Sequence, residues 1–177
     1  MRGVVLVISL CLAAGHFAAG CVFGPSSYQG VIGYREGRVF IRRDNTYRVG
    51  VLPEGWQRMQ TKARAISFYN PTYKSSISTD AYCGSGDSNR RLDALGGDIA
   101  SALENRTLIE EKSFMLDGRG ALRQRIGGFQ DGVEVEVDLV VVRKDGCVFD
   151  FYSVSPPGPP EGLTSDFEAF FTAFEYR

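Results

Sequence analysis

Residues 132–155, GVEVEVDLVVVRKDGCVFDFYSVS, leave the chain few options other than an antiparallel ribbon. Val133, Val135, Val137, Leu139 and Val141 alternate with Glu134, Glu136 and Asp138, the period of two that sends successive side chains to opposite sides of a strand. Asp145-Gly146 then separates two apolar runs, and that dipeptide accepts the positive φ angles of a type I′ turn. The pattern predicts a hairpin with the valines turned to a core. Glu134, Glu136 and Asp138 are read as its solvent face, not as a metal site.

The rest of the chain fits around that hairpin. RVFI (38–41) and TYRVGVL (46–52) predict an earlier hairpin, broken by PEGW (53–56). RAISFYN (64–70) and SSISTDAYC (75–83) read as two more strands, and TLIEEKSFML and GALRQRIG flank a second turn pair, Asp117-Gly118. GSGDSNRR (84–91) lacks the Gly-Lys-Ser/Thr of a phosphate loop. It is expected to cap a helix through Asp87 or Ser88, whose apolar face is Leu92, Leu95, Ile99 and Leu103. Gly96-Gly97 inside that helix marks a close contact or a kink. PPGPPEG (156–162) ends the sheet, and Ser165 with Glu168 spells a capping box for a closing helix. Its face of Leu163, Phe167, Phe170, Phe171 and Phe174 suits a core or a membrane surface. The near-absence of Lys and Arg there favours the core. The order of elements gives the fold class: α+β, an antiparallel sheet with packed helices.

The N-terminus concerns location. Arg2 followed by VVLVISLCLAA (4–14) has the charge and apolar length of a secretion signal, and Gly15 and His16 interrupt it too early for a membrane span. Ala18-Ala19-Gly20-Cys21 resembles the bacterial lipobox, whose cysteine carries diacylglycerol after cleavage at its amino side. An ordinary signal peptide, with Cys21 incidental, is the alternative. The lipobox resemblance implies residues 1–20 as signal peptide and Cys21 as the lipidation site. Residues 21–37 then form a lipidated tether, and 38–177 a single domain. Two or three acyl chains would make attachment to the membrane durable. Val22, where a retention signal would place Asp, implies the periplasmic face of the outer membrane over the inner membrane.

Loss of residues 1–20 would remove Arg2, Cys11 and His16, leaving 157 residues with 19 basic and 21 acidic side chains. No basic block suggests nucleic acid as a partner. With Cys21 lipidated, Cys83 and Cys147 remain as a possible disulfide in an oxidising compartment; two separate buried thiols are the alternative. His16 is the sole histidine, so its loss leaves no Ser-His or Cys-His pair and no histidine-containing zinc site. No catalytic residue, metal ligand or cofactor is assigned. An enzyme would need carboxylates such as Asp87, Asp93 or Asp98 brought together with raised pKa values.

YRVGVLPEGW leading to ISFYNPTYKSSISTDA, then a helix and a strand-rich half closed by DFEAFFTAFEY, resembles the PsbP-like α/β/α sandwich over residues 46–177. Members of that family are mostly non-enzymatic adaptors and assembly or binding modules. The expected function is a lipid-anchored, periplasm-facing binding or scaffold module with an envelope protein partner. The alternative is an accessory to envelope lipid or hydrophobe transport, for which Trp56, Tyr69 and Tyr73 are the candidate contacts to a small hydrophobic ligand.

Overall fold

A computed structural model describes residues 30–41, 45–60, 65–84 and 90–177. The hairpin forms as the alternation demands. β9 (Val133–Lys144) pairs antiparallel with β10 (Cys147–Ser155), and Asp145 and Gly146 turn between them at φ 50° and 77°. β7 (Glu104–Leu116) and β8 (Arg119–Gln130) repeat the device, with Asp117 and Gly118 at φ 47° and 72°. With β4 (Gln57–Met59), β5 (Ile66–Asn70) and β6 (Ser75–Cys83) these strands build a seven-stranded sheet of order β4-β5-β6-β10-β9-β8-β7. A smaller sheet has the order β1-β2-β3-β11, from β1 (Gly33–Arg35), β2 (Arg38–Phe40), β3 (Thr46–Arg48) and β11 (Glu175–Tyr176).

Both faces of the large sheet are covered. From β9, Leu139 and Val141 point to one side, where they pack with Leu95 of α1 (Leu92–Ile99) and Leu103 beyond a 3-10 turn, Ala100–Ala102. Val140 and Val142 point to the other side, against Phe167, Phe170 and Phe171 of α2 (Glu161–Thr172) and Val39 and Tyr47 of the small sheet. The result is an α/β/α sandwich. Tyr47 is fully enclosed: its ring meets Phe149 edge-on at 5.1 Å, and its hydroxyl lies 2.8 Å from Thr79 Oγ1. Such edge-to-face pairs add to area burial.

The closing helix is a core helix, as its aromatic face requires. Leu163, Phe167, Phe170, Phe171 and Phe174 are all buried. Gly50 lets it close on the smaller sheet, because a Cβ there would lie 2.9 Å from the Phe170 Cα while the Gly50 amide donates to the Phe170 carbonyl at 2.8 Å.

The structure corrects the sequence reading at four places and decides between its alternatives at one. β1 lies inside the stretch expected to be tether, because Gly33–Arg35 pairs with β2 across a turn at Glu36-Gly37. α2 starts at Glu161 and not at Ser165: Pro160 takes the cap position, where no amide is needed, and its carbonyl accepts from Leu163 and Thr164 at 3.0 and 3.2 Å. Ser165 and Glu168 therefore sit within the helix. The cap position of α1 is held by Arg91; Asp87 and Ser88 lie outside the described residues. Gly96 is the close contact, since a Cβ would meet Gln124 and come within 3.2 Å of Leu139, whereas Gly97 faces open space. Lastly, Glu136 and Asp138 are not a solvent face: they are 7% and 8% exposed, while Glu134 remains exposed.

Candidate functional site

The buried carboxylates are explained by the neighbouring strand. Arg123 and Arg125 project from β8 to the α2 side, and each reaches diagonally to an acid on β9. Arg123 donates Nε and Nη2 to the two oxygens of Asp138 at 2.9 and 2.7 Å, and Arg125 donates Nε and Nη2 to Glu136 Oε1 at 3.0 and 2.6 Å. Glu110 and Glu168 approach the same guanidiniums at 3.4 and 3.9 Å. Arg123 also lies over the rings of Phe167 and Phe171, 6.0 and 5.4 Å from their centroids. These carboxylates bond both guanidiniums and push their pKa values up. The ion pairs floor a cleft of about 380 Å³ whose other wall is Gly158, Pro159 and Thr164. The Gly158 amide donates to Glu136 at 3.4 Å. Charge is matched within the cleft, and the Gly158 contact ties the proline loop to the sheet.

Of the three candidate aromatic contacts, the structure brings two together. Trp56 and Tyr73 lie with ring centroids 6.1 Å apart on the α2 side, and Trp56 Nε1 donates to Asp166 Oδ2 of α2 at 2.8 Å. Gly162 gives Tyr73 its room, since a Cβ there would collide with the phenol. Both rings are half-buried and engaged in holding α2. Tyr69 alternates to the other side of β5 and is 37% exposed, apart from that pair.

Sequence reasoning missed the most perturbed carboxylate. Asp150 on β10 is 4% exposed, sits opposite Asp80 of β6, and has an Oδ1 without a hydrogen-bond partner. Burial, then the charges of Asp80 and Asp98, push its pKa well above the ordinary carboxylate value. Tyr152, beside it on the α1 side, is raised by burial. Alternation in β10 sets Asp150 on the face opposite Phe149 and Phe151, the side of Val148 and Tyr152, and the sequence carries no cue that α1 covers that side or that an acid there lacks a partner. Asp98 acts on Asp150 through its charge, and Asp93 is not among the groups that shift it. Asp93 is half-buried and Asp98 exposed, and each is held below the usual range by hydrogen bonds from its own arginine, Arg91 at 3.0 Å and Arg90 at 2.6 Å.

Cys83 and Cys147 form a disulfide between directly paired residues of β6 and β10. Cys21 and the signal segment lie outside the described residues. Among the described residues no group of three or more His, Cys, Asp or Glu is placed to hold a metal, and no helix is long and apolar enough to cross a membrane.

No protein-family model matches the chain, and no curated protein matches it. Solved structures do share the architecture. LpqN of Mycobacterium tuberculosis, described as involved in cell envelope biogenesis, aligns with a TM-score of 0.55 at 14% identity over 75% of this chain and 85% of its own. CyanoP, the cyanobacterial PsbP of Synechocystis sp. PCC 6803, aligns with a TM-score of 0.51 at 14% identity over 88% of this chain and 95% of its own. A protein from Bacteroides thetaiotaomicron gives 0.54 at 13% identity over 81% of this chain; the chain spans about half, 49%, of that protein's length. The likeness is one of fold, and the fold is a PsbP-like α/β/α sandwich.

Proposed function

We propose that the chain is a non-catalytic binding or scaffold module of the bacterial cell envelope, anchored by lipid at Cys21 on the periplasmic face of the outer membrane, and that it works by holding a protein partner. One observation carries the partner reading. β7 closes the seven-stranded sheet as an edge of thirteen residues, the first ten exposed, with Leu108 and Ile109 54% and 50% accessible. A long free edge presents unpaired backbone donors and acceptors, the surface that β-strand addition uses. The fold shared with LpqN, a protein involved in envelope biogenesis, supports the setting. The hydrophobe-transport alternative has less behind it, because Phe149, Phe151, Phe167 and Phe170 are 0% exposed and committed to the core.

The test is co-purification from detergent-solubilised envelopes, comparing the native chain with a Leu108→Lys, Ile109→Lys variant. A specific partner recovered with the native chain and lost with the variant is the expected result. Equal recovery, or no specific partner, would overturn it. Intact-mass measurement of the same material reports the acyl groups expected on Cys21.

A further inference from the structure

The small sheet turns one side to the core and the other away from it. Tyr34, Val39, Tyr47 and Tyr176 form one cross-strand row, and Val39, Tyr47 and Tyr176 are buried. The next row is Arg35, Arg38, Arg48 and Glu175, each directly opposite the one before it on β1, β2, β3 and β11. The period of two sends this row outward, and all three arginines are exposed.

Like charges directly opposite one another destabilise a sheet, and little here offsets them. Among the described residues Arg35 and Arg38 make no ion pair. Arg48 reaches Glu175 only at 4.0 Å, with its side chain 68% exposed, and Glu175 is also bound by Arg177. Glu36, in the β1–β2 turn, is exposed and pairs with none of them. Exposed apolar side chains stand at both ends of β1. Ile32 precedes it, 66% accessible, and Val51, 69% accessible, lies against the turn, where a Cβ on Gly37 would come within 3.2 Å of it.

We propose that the outward face of the small sheet docks on an anionic lipid surface. Guanidiniums bond phosphodiester oxygens, basic side chains gain from a negative leaflet, and flanking aliphatic groups enter the headgroup boundary. The proposal rests on the reading of Cys21 as the lipid anchor. Val31 stands ten positions after Cys21, so the chain between them spans at most about 35 Å, and Val31 leads into β1, the edge strand of this face. An acidic protein would answer the charges but neither the apolar flanks nor the short reach to lipid. The face shares no strand with β7, so a membrane and a partner can be held together.

The experiment places the full, lipid-anchored chain on phosphatidylcholine vesicles with or without phosphatidylglycerol and maps arginine reactivity to phenylglyoxal by mass spectrometry. Arg35, Arg38 and Arg48 should react several-fold more slowly where phosphatidylglycerol is present, and added salt should remove that protection. Arg91, at the start of α1 across the large sheet with its side chain 86% exposed, should react equally on both. Trp56, the sole tryptophan, lies on the β1 side, since Arg58 two residues on donates to the Tyr34 carbonyl at 3.4 Å. Its quenching by headgroup-spin-labelled lipid should rise with phosphatidylglycerol in the native chain and not in an Arg35→Gln, Arg38→Gln, Arg48→Gln variant. That variant should unfold no earlier than the native chain, because it relieves the repulsion. Equal reactivity of the row on both vesicles, equal protection of Arg91, or quenching that survives in the variant would overturn the proposal; the first would point to an acidic protein instead. A chain that leaves phosphatidylcholine vesicles contradicts the anchor alone, and the same protection on phosphatidylglycerol then decides the face.

Discussion

Asp150 on β10 faces Asp80 directly across the β6–β10 ladder, and Asp150 Oδ1 is buried without a hydrogen-bond partner. Acids opposite one another on a sheet repel. Asp98 adds to the field on Asp150, though Asp98 is itself paired with Arg90, and the neighbouring Tyr152 offers no positive charge. Burial is the larger cause of the upward pKa shift and the neighbouring charges the lesser. The folded state therefore binds the Asp150 proton more tightly than the unfolded chain does. That stabilisation is full below the ordinary carboxylate pKa and is lost as pH rises through the raised value. Asp150→Asn should unfold later than the native chain at neutral pH, by about 1–3 kcal/mol for removing an unpaired buried charge. The gap should vanish at pH 3. Urea unfolding at both pH values checks it, and a destabilised variant at neutral pH would sink the assignment.

Asp117 should show the opposite sign. Its Oδ2 accepts from Lys144 Nζ at 2.6 Å and from the Tyr176 amide at 2.9 Å, tying the β7–β8 turn to the final strand. Burial raises its pKa, but Lys144 and the Tyr176 amide outweigh burial and the net shift is downward. Its contribution is present above the unfolded pKa and disappears as pH falls through the folded one. Asp117→Asn keeps a residue suited to the turn and loses the ion pair, so it should cost about 1 kcal/mol or less at pH 7, with the difference fading toward pH 2. Hydrogen exchange at the Tyr176 amide should quicken in the variant.

The legible parts of this fold are those where pattern and turn chemistry agree. β6 runs over the same nine residues as the stretch that reads SSISTDAYC, and the Asp-Gly turns at 117–118 and 145–146 take the φ angles that the dipeptide predicts, as does a third at 131–132. Alternation tells which side of a strand a residue faces but not what covers that side. Glu136 and Asp138 look solvated in isolation, and only the register with β8 reveals Arg123 and Arg125 over them. β4 and β11 are short, and β4 is exposed throughout; they are strands because a sheet edge is available, with little local signal to announce them. The same limit hid Asp150, whose significance lies in a missing partner.

The disulfide should carry a large share of stability. Cys83 and Cys147 are 64 residues apart in sequence, and closing a loop of that length stabilises by about 4 kcal/mol on the chain-entropy model. Cys83→Ser, Cys147→Ser should lower the urea midpoint by a corresponding amount, and adding reductant to the unfolded native chain should reproduce the loss. A midpoint unchanged by both would mean that the bridge contributes nothing.

Two glycines should respond in opposite directions to the same substitution. Gly97 sits in α1 with nothing within 4 Å of a new Cβ, so Gly97→Ala should stabilise by about 0.5–1 kcal/mol through helix propensity and a less flexible unfolded chain. At Gly50 the new methyl would press on the backbone of α2, near the Ala169 carbonyl and 2.9 Å from the Phe170 Cα. Backbone cannot swing aside as a side-chain end can. The helix would have to lift from the small sheet, stretching the bond from the Gly50 amide to the Phe170 carbonyl and loosening the packing of Tyr47 against Phe174, whose rings are 6.0 Å apart. Overpacking of this kind costs about 1–3 kcal/mol. Thermal unfolding of the two single variants and their combination reads both effects, and additivity is expected because no contact links the sites. A Gly50→Ala chain as stable as the native one would mean that α2 does not rest on this glycine.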